Sequence, residues 1–184
     1  YAHQPSRKMK YEIGLDAAAS GYELIAGSRI YGTKKDGKDT DLLKVLADSG
    51  VTIVRGLDAM ADVKSKRVLL LNPEHLTSSN AGYTIDSVAG ALNLPGMTKA
   101  GIEHLQKTSP EKFFMMVEGG NIDYAGHSND GGAVVKEILN FNEALAVAYE
   151  FYQSHPDETL IVVTADHDTG GLAIGFPATG YRKR

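Results

Sequence analysis

The sequence has 184 residues, among them no cysteine and no tryptophan, and its apolar runs are short. Without cysteine there are no disulfides, no thiolate zinc sites and no cysteine nucleophiles, although the redox compartment stays open because secreted proteins can also lack cysteine. Runs such as Val68–Leu71 and Leu160–Val163 fall far short of the roughly 20 apolar residues that a membrane-spanning helix needs. We therefore expect no membrane span.

The sequence also lacks an excess of positive charge. It carries 19 Lys and Arg against 23 Asp and Glu, which gives a net charge of −4, and its basic residues are scattered. Nucleic-acid binding depends on clustered Lys and Arg, so a nucleic-acid partner is not expected. A hydrophobic content of 42% and a charged content of 23% are typical of one ordinary globular domain.

Short apolar runs alternate with helical patterns along the chain. The predicted strands are Tyr22–Ile25, Thr52–Val54, Val68–Leu71, Phe113–Val117 and Leu160–Thr164. The predicted helices are Asp41–Asp48, Thr98–Lys107 and Ala133–Ser154, and the polar segment 72–96 is expected to be a surface loop. This alternation predicts an α/β fold, with a largely parallel sheet flanked by helices and strands buried on both faces.

The last predicted helix has the clearest periodicity. Its apolar positions recur every three or four residues from Val134 through Ile138 to Tyr152, whereas Glu137 and Asn140 lie on other faces. We expect its apolar face to pack against the sheet.

Two polar segments follow predicted strands and hold most of the candidate metal ligands. One is Glu118–His127 and the other is Thr164–His167. Functional groups of an open parallel sheet collect just beyond the carboxyl ends of its strands, so we expect both segments to face one crevice.

The residue types in these segments suit a metal centre without thiolates. Asp123 and His127 are four residues apart, which places both on the same side of a helical turn. Asp166 and His167 are adjacent, so one backbone bend is needed to bring both to a second ion. Carboxylate and imidazole together are ligands that zinc accepts, and the carboxylate of Glu118 suits a harder ion such as magnesium.

These segments resemble the two metal-binding signatures of bacterial alkaline phosphatases. The signatures match VEGGNIDYAGH at Val117–His127 and VVTADHDTGG at Val162–Gly171, in which an ordered E-G-x-x-I-D-x-x-x-H precedes a T-A-D-H. A third match is AHQPSRK at Ala2–Lys8, which resembles the segment that carries the family's substrate-phosphate arginine. The resemblance extends loosely over the whole chain, and the two metal signatures carry most of its weight.

The resemblance implies an alkaline-phosphatase-like fold and phosphomonoester hydrolysis at a centre of two zinc ions and one magnesium ion. It places Asp123 and His127 on one zinc, Asp166 and His167 on the second zinc, Glu118 on magnesium, and Arg7 on the phosphoryl group. An arginine suits that role because its planar fork holds two phosphate oxygens and stays charged at alkaline pH. Small phosphomonoesters and inorganic phosphate are the implied partners, with a tendency to form homodimers and a periplasmic or secreted location.

Several parts of the family's site have no counterpart here. The family's serine nucleophile lies in a D-S-A-type motif upstream of the arginine segment. Asp48-Ser49-Gly50 ends a predicted helix and Asp86-Ser87-Val88 lies in the predicted loop, so neither is expected to replace it. Upstream Asp and Thr partners of magnesium and a late histidine of the first zinc are also missing.

The N-terminus has neither an initiating Met nor a signal pattern, so we expect residues 1–184 to be a single partial domain.

Two other functional classes remain open. The first is another metal-dependent phosphotransfer enzyme with a similar T-A-D-H segment, such as a cofactor-independent phosphoglycerate mutase or a phosphodiesterase, although the EGGNID spacing at 118–123 argues against it. The second is a module that binds metal or phosphate without catalysis.

Overall fold

A computed structural model describes residues 2–76 and 82–171 of the chain. Its α-helices are α1 (Lys10–Ala19), α2 (Leu42–Asp48), α3 (Leu94–Thr108), α4 (Gly120–His127) and α5 (Gly131–Ser154). Its strands are β1 (Leu24–Ala26), β2 (Lys34–Lys35), β3 (Lys38–Asp39), β4 (Val51–Arg55) and β5 (Arg67–Leu71), and single 3-10 turns lie at Asp58–Met60, Glu74–Leu76 and Thr84–Asp86. No helix in the described ranges is long and apolar enough to cross a membrane.

The main sheet is parallel and has β5 at its centre. Its strand order is β1-β5-β4, with Leu24 opposite Val68 and Val51 opposite Arg67. The strands β2 and β3 form a separate antiparallel pair. The prediction of an α/β fold with a parallel sheet is therefore confirmed.

The central strand β5 is buried on both faces. Leu69 and Leu71 pack toward α1 and α2, where they meet Leu42, whereas Val68 and Leu70 pack toward α3 on the opposite face. Successive side chains of a strand point to opposite faces, so a continuous apolar run fills both layers. Leu70 is fully buried, and full burial of a leucine side chain stabilises a fold by about 1.5–3 kcal/mol.

The two later apolar runs, Phe113–Val117 and Leu160–Thr164, form neither strands nor helices, so the prediction of strands there is wrong. No strand among the described residues pairs with them, so each has a face open to solvent. Phe114 is 85% exposed, Met116 77% and Leu160 86%. The first run alternates between half-buried and exposed side chains, because only one of its faces lies against helices.

The helix α5 packs mainly on α3 and α4 rather than on the sheet, which corrects the expected packing. Its buried side chains include Glu137 and Asn140, both expected to face outward, whereas Ile138 is 47% exposed. A hydrogen bond explains the buried carboxylate, because Glu137 accepts from the backbone N–H of Thr84 at 2.5 Å. Periodicity locates the helix correctly and predicts much of its covered face, since Val134 is buried, but it is wrong for Glu137, Asn140 and Ile138.

Local capping places the start of α3 earlier than the sequence pattern predicts. The helix begins at Leu94 rather than Thr98, inside the segment 72–96, where a surface loop is predicted. The side chain of Asn93 accepts a hydrogen bond from the backbone N–H of Gly96 at 2.8 Å, which satisfies an otherwise unpaired donor of the first turn. Residues 77–81 of that segment lie outside the described ranges.

A charged cluster ties the end of α3 to the start of two strands. The carboxylate of Glu23, just before β1, accepts from the hydroxyl of Ser109 at 2.6 and 2.7 Å and pairs with Nζ of Lys66 at 2.9 Å. The Ser109 hydroxyl and the Lys66 ammonium lower the pKa of Glu23. Its side chain is only 20% exposed, so these contacts are partly shielded from water.

We expect Glu23→Gln to lower the free energy of unfolding at neutral pH by roughly 1 kcal/mol, because a charge-assisted contact is lost. A carboxyl group whose pKa is lowered by folding contributes stability above its unfolded pKa of about 4.3, and that contribution disappears as the pH falls through the folded pKa. Urea denaturation should therefore separate the two proteins near neutral pH and bring them together once the pH lies below the folded pKa of Glu23. The exposed Glu111, changed to Gln, is the matched control. A difference in the free energy of unfolding between the two proteins that persists at acid pH would contradict this account.

Candidate metal centre

The helix α4 carries the first pair of candidate ligands on one side of its last turns. Oδ1 of Asp123 lies 3.6 Å from Nε2 of His127, as expected for residues four apart in a helix. Their side chains are 39% and 69% exposed, so both remain accessible from solvent.

The second pair follows the apolar run 160–164. Oδ2 of Asp166 lies 3.3 Å from Nε2 of His167, and the other carboxylate oxygen accepts from the backbone N–H of His167 at 3.1 Å. The backbone bend that two adjacent ligands require is therefore present. Both side chains are exposed.

The spacing within each pair fits zinc. A tetrahedral zinc ion with bonds of about 2.0–2.2 Å holds neighbouring ligand atoms roughly 3.3–3.6 Å apart, which matches the separations in both pairs. Zinc usually takes at least three protein ligands, and no group of three or more His, Asp or Glu side chains suited to a metal is found in the described part of the chain. Each pair therefore has donors at a spacing compatible with zinc, and has fewer ligands than a zinc site usually takes.

One hydroxyl group joins the two pairs. Oγ1 of Thr169 donates to Oδ1 of Asp123 at 2.5 Å and lies 3.2 Å from Nδ1 of His167. Thr169 follows Asp123 by 46 residues in the sequence, yet its hydroxyl contacts one ligand of each pair. The fold therefore brings the two motifs into contact.

Close contact between two backbones makes this meeting possible. A Cβ atom on Gly126 would lie 2.9 Å from the carbonyl oxygen of Thr169, and one on Gly170 would lie 2.5 Å from the carbonyl oxygen of Gly126. Gly170 also has a φ of +77°, a backbone conformation that residues other than glycine rarely adopt. Glycine at both positions lets the second motif lie directly on α4.

The remaining two predicted site residues are not joined to these pairs. Glu118 is exposed and lies two residues before α4, and Arg7 is exposed in the turn that precedes α1. Within residues 2–76 and 82–171, no hydrogen bond or ion pair connects either side chain to the Asp/His pairs. Their assigned roles stay predictions.

Sequence reasoning leaves the role of Thr169 open, since the segment 169–171 is consistent both with support for the ligands and with an ordinary loop. The available signal is its position, two residues after His167 and directly before two glycines. The sequence does not show which groups the Thr169 hydroxyl contacts.

Comparison with known proteins identifies the family of the chain. The family model for alkaline phosphatase matches residues 7–182. Alkaline phosphatase 4 of Bacillus subtilis is 32% identical over 181 residues, which are 95% of this chain and 37% of that protein. The repressible alkaline phosphatase of Saccharomyces cerevisiae is 33% identical over 158 residues, 81% of this chain and 28% of that protein. The chain thus spans well under half the length of these relatives.

Solved structures give the same result. The alkaline phosphatase of the Antarctic bacterium TAB5 superposes with a TM-score of 0.73 at 30% identity, over 93% of this chain and 48% of that one. A cold-active alkaline phosphatase of Shewanella sp. superposes with a TM-score of 0.77 at 30% identity, over 95% of this chain and 41% of that one. A TAB5 variant with a TM-score of 0.70 at 28% identity, over 93% of this chain and 48% of that one, has magnesium bound in its M3 site. By sequence and by fold, this chain belongs to the alkaline phosphatase family.

Proposed function

We propose that the protein containing this chain hydrolyses phosphomonoesters at a centre of two zinc ions and one magnesium ion. Asp123 and His127 would hold one zinc, and Asp166 and His167 the other. The observation that carries the proposal is the shared hydroxyl of Thr169, since it brings two pairs with zinc-like spacing to one place. Family membership supports the reaction class.

Two further side chains complete the proposed assignment. Glu118 would bind magnesium through its carboxylate, a hard oxygen donor. Arg7 would bind the phosphoryl group, and its exposure leaves the guanidinium accessible to a ligand from solvent. When bound, a pair of metal ions supplies electrostatic stabilisation of the attacking and leaving oxygens in phosphoryl transfer.

We propose that the nucleophile comes from a part of the protein outside residues 1–184. The hydroxyl of Ser49 donates to the carbonyl oxygen of Leu46 at 2.7 Å at the end of α2, which is a capping role. Ser87 follows the 3-10 turn Thr84–Asp86. Neither serine has a described contact with the Asp/His pairs.

The apolar runs 113–117 and 160–164, which pair with no strand among the described residues, support the same proposal. Phe114 and Met116 in the first run and Leu160 and Val162 in the second expose apolar side chains that a larger domain would cover. The relatives have more than half of their length outside the match, which is ample chain to supply strands beside these runs. Residues 1–184 would then be a single partial domain.

The partially supplied zinc sites favour a second function for the chain by itself. With two ligands in each pair, it would bind metal weakly and release no product, as a binding module without catalysis. The phosphotransfer alternatives of the mutase or phosphodiesterase type have no such supporting contact.

We propose small phosphomonoesters and inorganic phosphate as the partners of the whole protein, with a homodimer as its assembly. A periplasmic or secreted location would accompany that function. These proposals rest on family resemblance.

Zinc binding tests the ligand assignment. We expect Asp123→Ala to remove binding at one site and His167→Ala to remove binding at the other, so that each variant retains about half of the zinc bound by the unaltered chain. Isothermal titration at alkaline pH, with bound zinc checked by atomic absorption, measures both stoichiometry and affinity. The exposed His75, changed to Ala, is the matched control and should bind zinc as before. Unchanged stoichiometry in both ligand variants would refute the assignment.

Hydrolysis of an aryl phosphate tests the proposed origin of the nucleophile. With added zinc and magnesium at alkaline pH, we expect the 184-residue chain to give no turnover above that of its His167→Ala variant. Removal of a nucleophile from a group of residues that act as a unit costs many orders of magnitude in rate. Turnover that the His167→Ala change abolishes would place a nucleophile inside this chain and contradict the proposal.

A further inference from the structure

Two positively charged side chains meet on one tyrosine ring after β1. Nζ of Lys10 lies 4.2 Å from the centre of the Tyr31 ring, and Cζ of Arg29 lies 4.6 Å from the same centre. The separation of the two charges cannot exceed the sum of these distances, which is below the screening length of roughly 10 Å in 0.1 M salt. The two cations therefore repel each other, and an anion between them would be attracted by both.

The hydroxyl group of the tyrosine adds a third donor. Nη2 of Arg29 donates a hydrogen bond to Oη of Tyr31 at 2.5 Å, and a guanidinium can only donate. The hydroxyl oxygen is therefore the acceptor in that bond, and no described residue accepts the hydrogen of the hydroxyl. Tyr31 is 50% exposed, so a ligand can reach it from solvent. Lys10, Arg29 and Tyr31, here called the basic cluster, thus offer an ammonium, a guanidinium and a hydroxyl hydrogen.

The carboxylates of α1 do not neutralise the basic cluster. In the described part of the chain Lys10 forms no ion pair, and Glu12, two residues further along α1, pairs instead with Nζ of Lys35 at 2.6 Å. The carboxylate of Asp16 accepts from the side chain of Gln4 at 2.8 Å. A group of donors with two positive charges suits a ligand with several acceptor oxygens, such as a phosphate or a carboxylate.

The basic cluster lies against the segment that carries Arg7. A Cβ atom on Gly32, which follows Tyr31, would lie 2.5 Å from the carbonyl oxygen of Lys10, so this loop contacts the first turn of α1 directly. Arg7 lies three residues before Lys10, in the turn that precedes the helix. Three residues of chain span at most about 11 Å. The proposed phosphoryl-binding arginine and the basic cluster are therefore neighbours.

We propose that the basic cluster binds a second anionic group of the substrate, next to the phosphoryl group on Arg7. Arg29 follows the end of β1 by three residues, at the carboxyl edge of the parallel sheet, where open α/β sheets bind their ligands. The substrates then include small phosphomonoesters that carry a second phosphate or a carboxylate. This inference rests on the proposed function for the role of Arg7, whereas anion binding at the basic cluster does not.

Two matched phosphonates test the inference in the 184-residue chain without metal, near neutral pH. Butylphosphonate has one anionic group, and the diphosphonate built on the same four-carbon chain has one at each end. Neither contains an ester bond, so neither is hydrolysed. By titration calorimetry we expect the diphosphonate to bind at least about 10-fold more tightly, because its second group gains charge-assisted hydrogen bonds. Equal affinities of the two phosphonates for the unaltered chain would overturn the inference.

Substitutions in the basic cluster locate the second anionic group. Lys10→Gln and Arg29→Gln should each remove most of the preference for the diphosphonate, and Tyr31→Phe should reduce it roughly 5-fold, the effect of one hydrogen bond. Lys38→Gln removes the same charge from an exposed lysine of β3 and is the matched control, which should keep the preference. If Lys10→Gln and Arg29→Gln reduce the preference no more than Lys38→Gln does, the attraction is a general effect of charge and the inference is wrong.

Arg7→Gln separates this inference from the proposed function. If Arg7 holds one anionic group, its substitution also removes the preference for the diphosphonate, because only one of the two groups is then bound. A preference that survives Arg7→Gln and is lost in Lys10→Gln and Arg29→Gln would contradict the role of Arg7 and support the basic cluster as an anion site. A preference that is lost only in Arg7→Gln would support Arg7 and overturn the inference.

Discussion

The candidate site depends on one close contact, in which the backbone at Thr169 and Gly170 lies directly on the backbone of α4 at Gly126. Side chains larger than hydrogen at Gly126 or Gly170 would overlap a carbonyl oxygen of the opposite segment. This contact brings the hydroxyl of Thr169 within hydrogen-bonding distance of Asp123. A shared centre requires that approach, because the two Asp/His pairs belong to segments with no strand pairing between them in the described residues.

The candidate site consists of two Asp/His pairs. Each Asp/His pair has the spacing of two zinc ligands, and each leaves coordination positions for other donors. The runs that lead into the two motifs expose apolar side chains, among them Phe114 and Leu160. Two ligands in each pair and uncovered apolar surface in the same segments are the observations on which the proposed packing of a further part of the protein rests.

Sequence patterns predict the features that depend on local spacing. The buried run Val68–Leu71 predicts the central strand, and the four-residue spacing of Asp123 and His127 predicts their common side of a helix. Sequence patterns fail where burial or strand formation depends on a group from a distant part of the chain. The periodicity of α5 does not predict that Glu137 is buried. Its carboxylate accepts a hydrogen bond from the backbone N–H of Thr84, which is distant in the sequence. The apolar run at 113–117 predicts a strand only if a partner strand is present.

The central claim is that the contact at Gly126 joins the two motifs, and amide NMR shifts of α4 test it most directly. Gly170 and Gly171 both have positive φ. Among the residues that the structure describes, a Cβ on Gly170 would meet a carbonyl oxygen at 2.5 Å, whereas a Cβ on Gly171 would have no neighbour within 4 Å. Gly170→Ala and Gly171→Ala therefore share the conformational strain and differ in the contact. The account predicts that Gly170→Ala shifts the amide signals of Asp123 and Gly126 and that Gly171→Ala leaves them nearly unchanged. Equal effects of the two substitutions on those signals would contradict it.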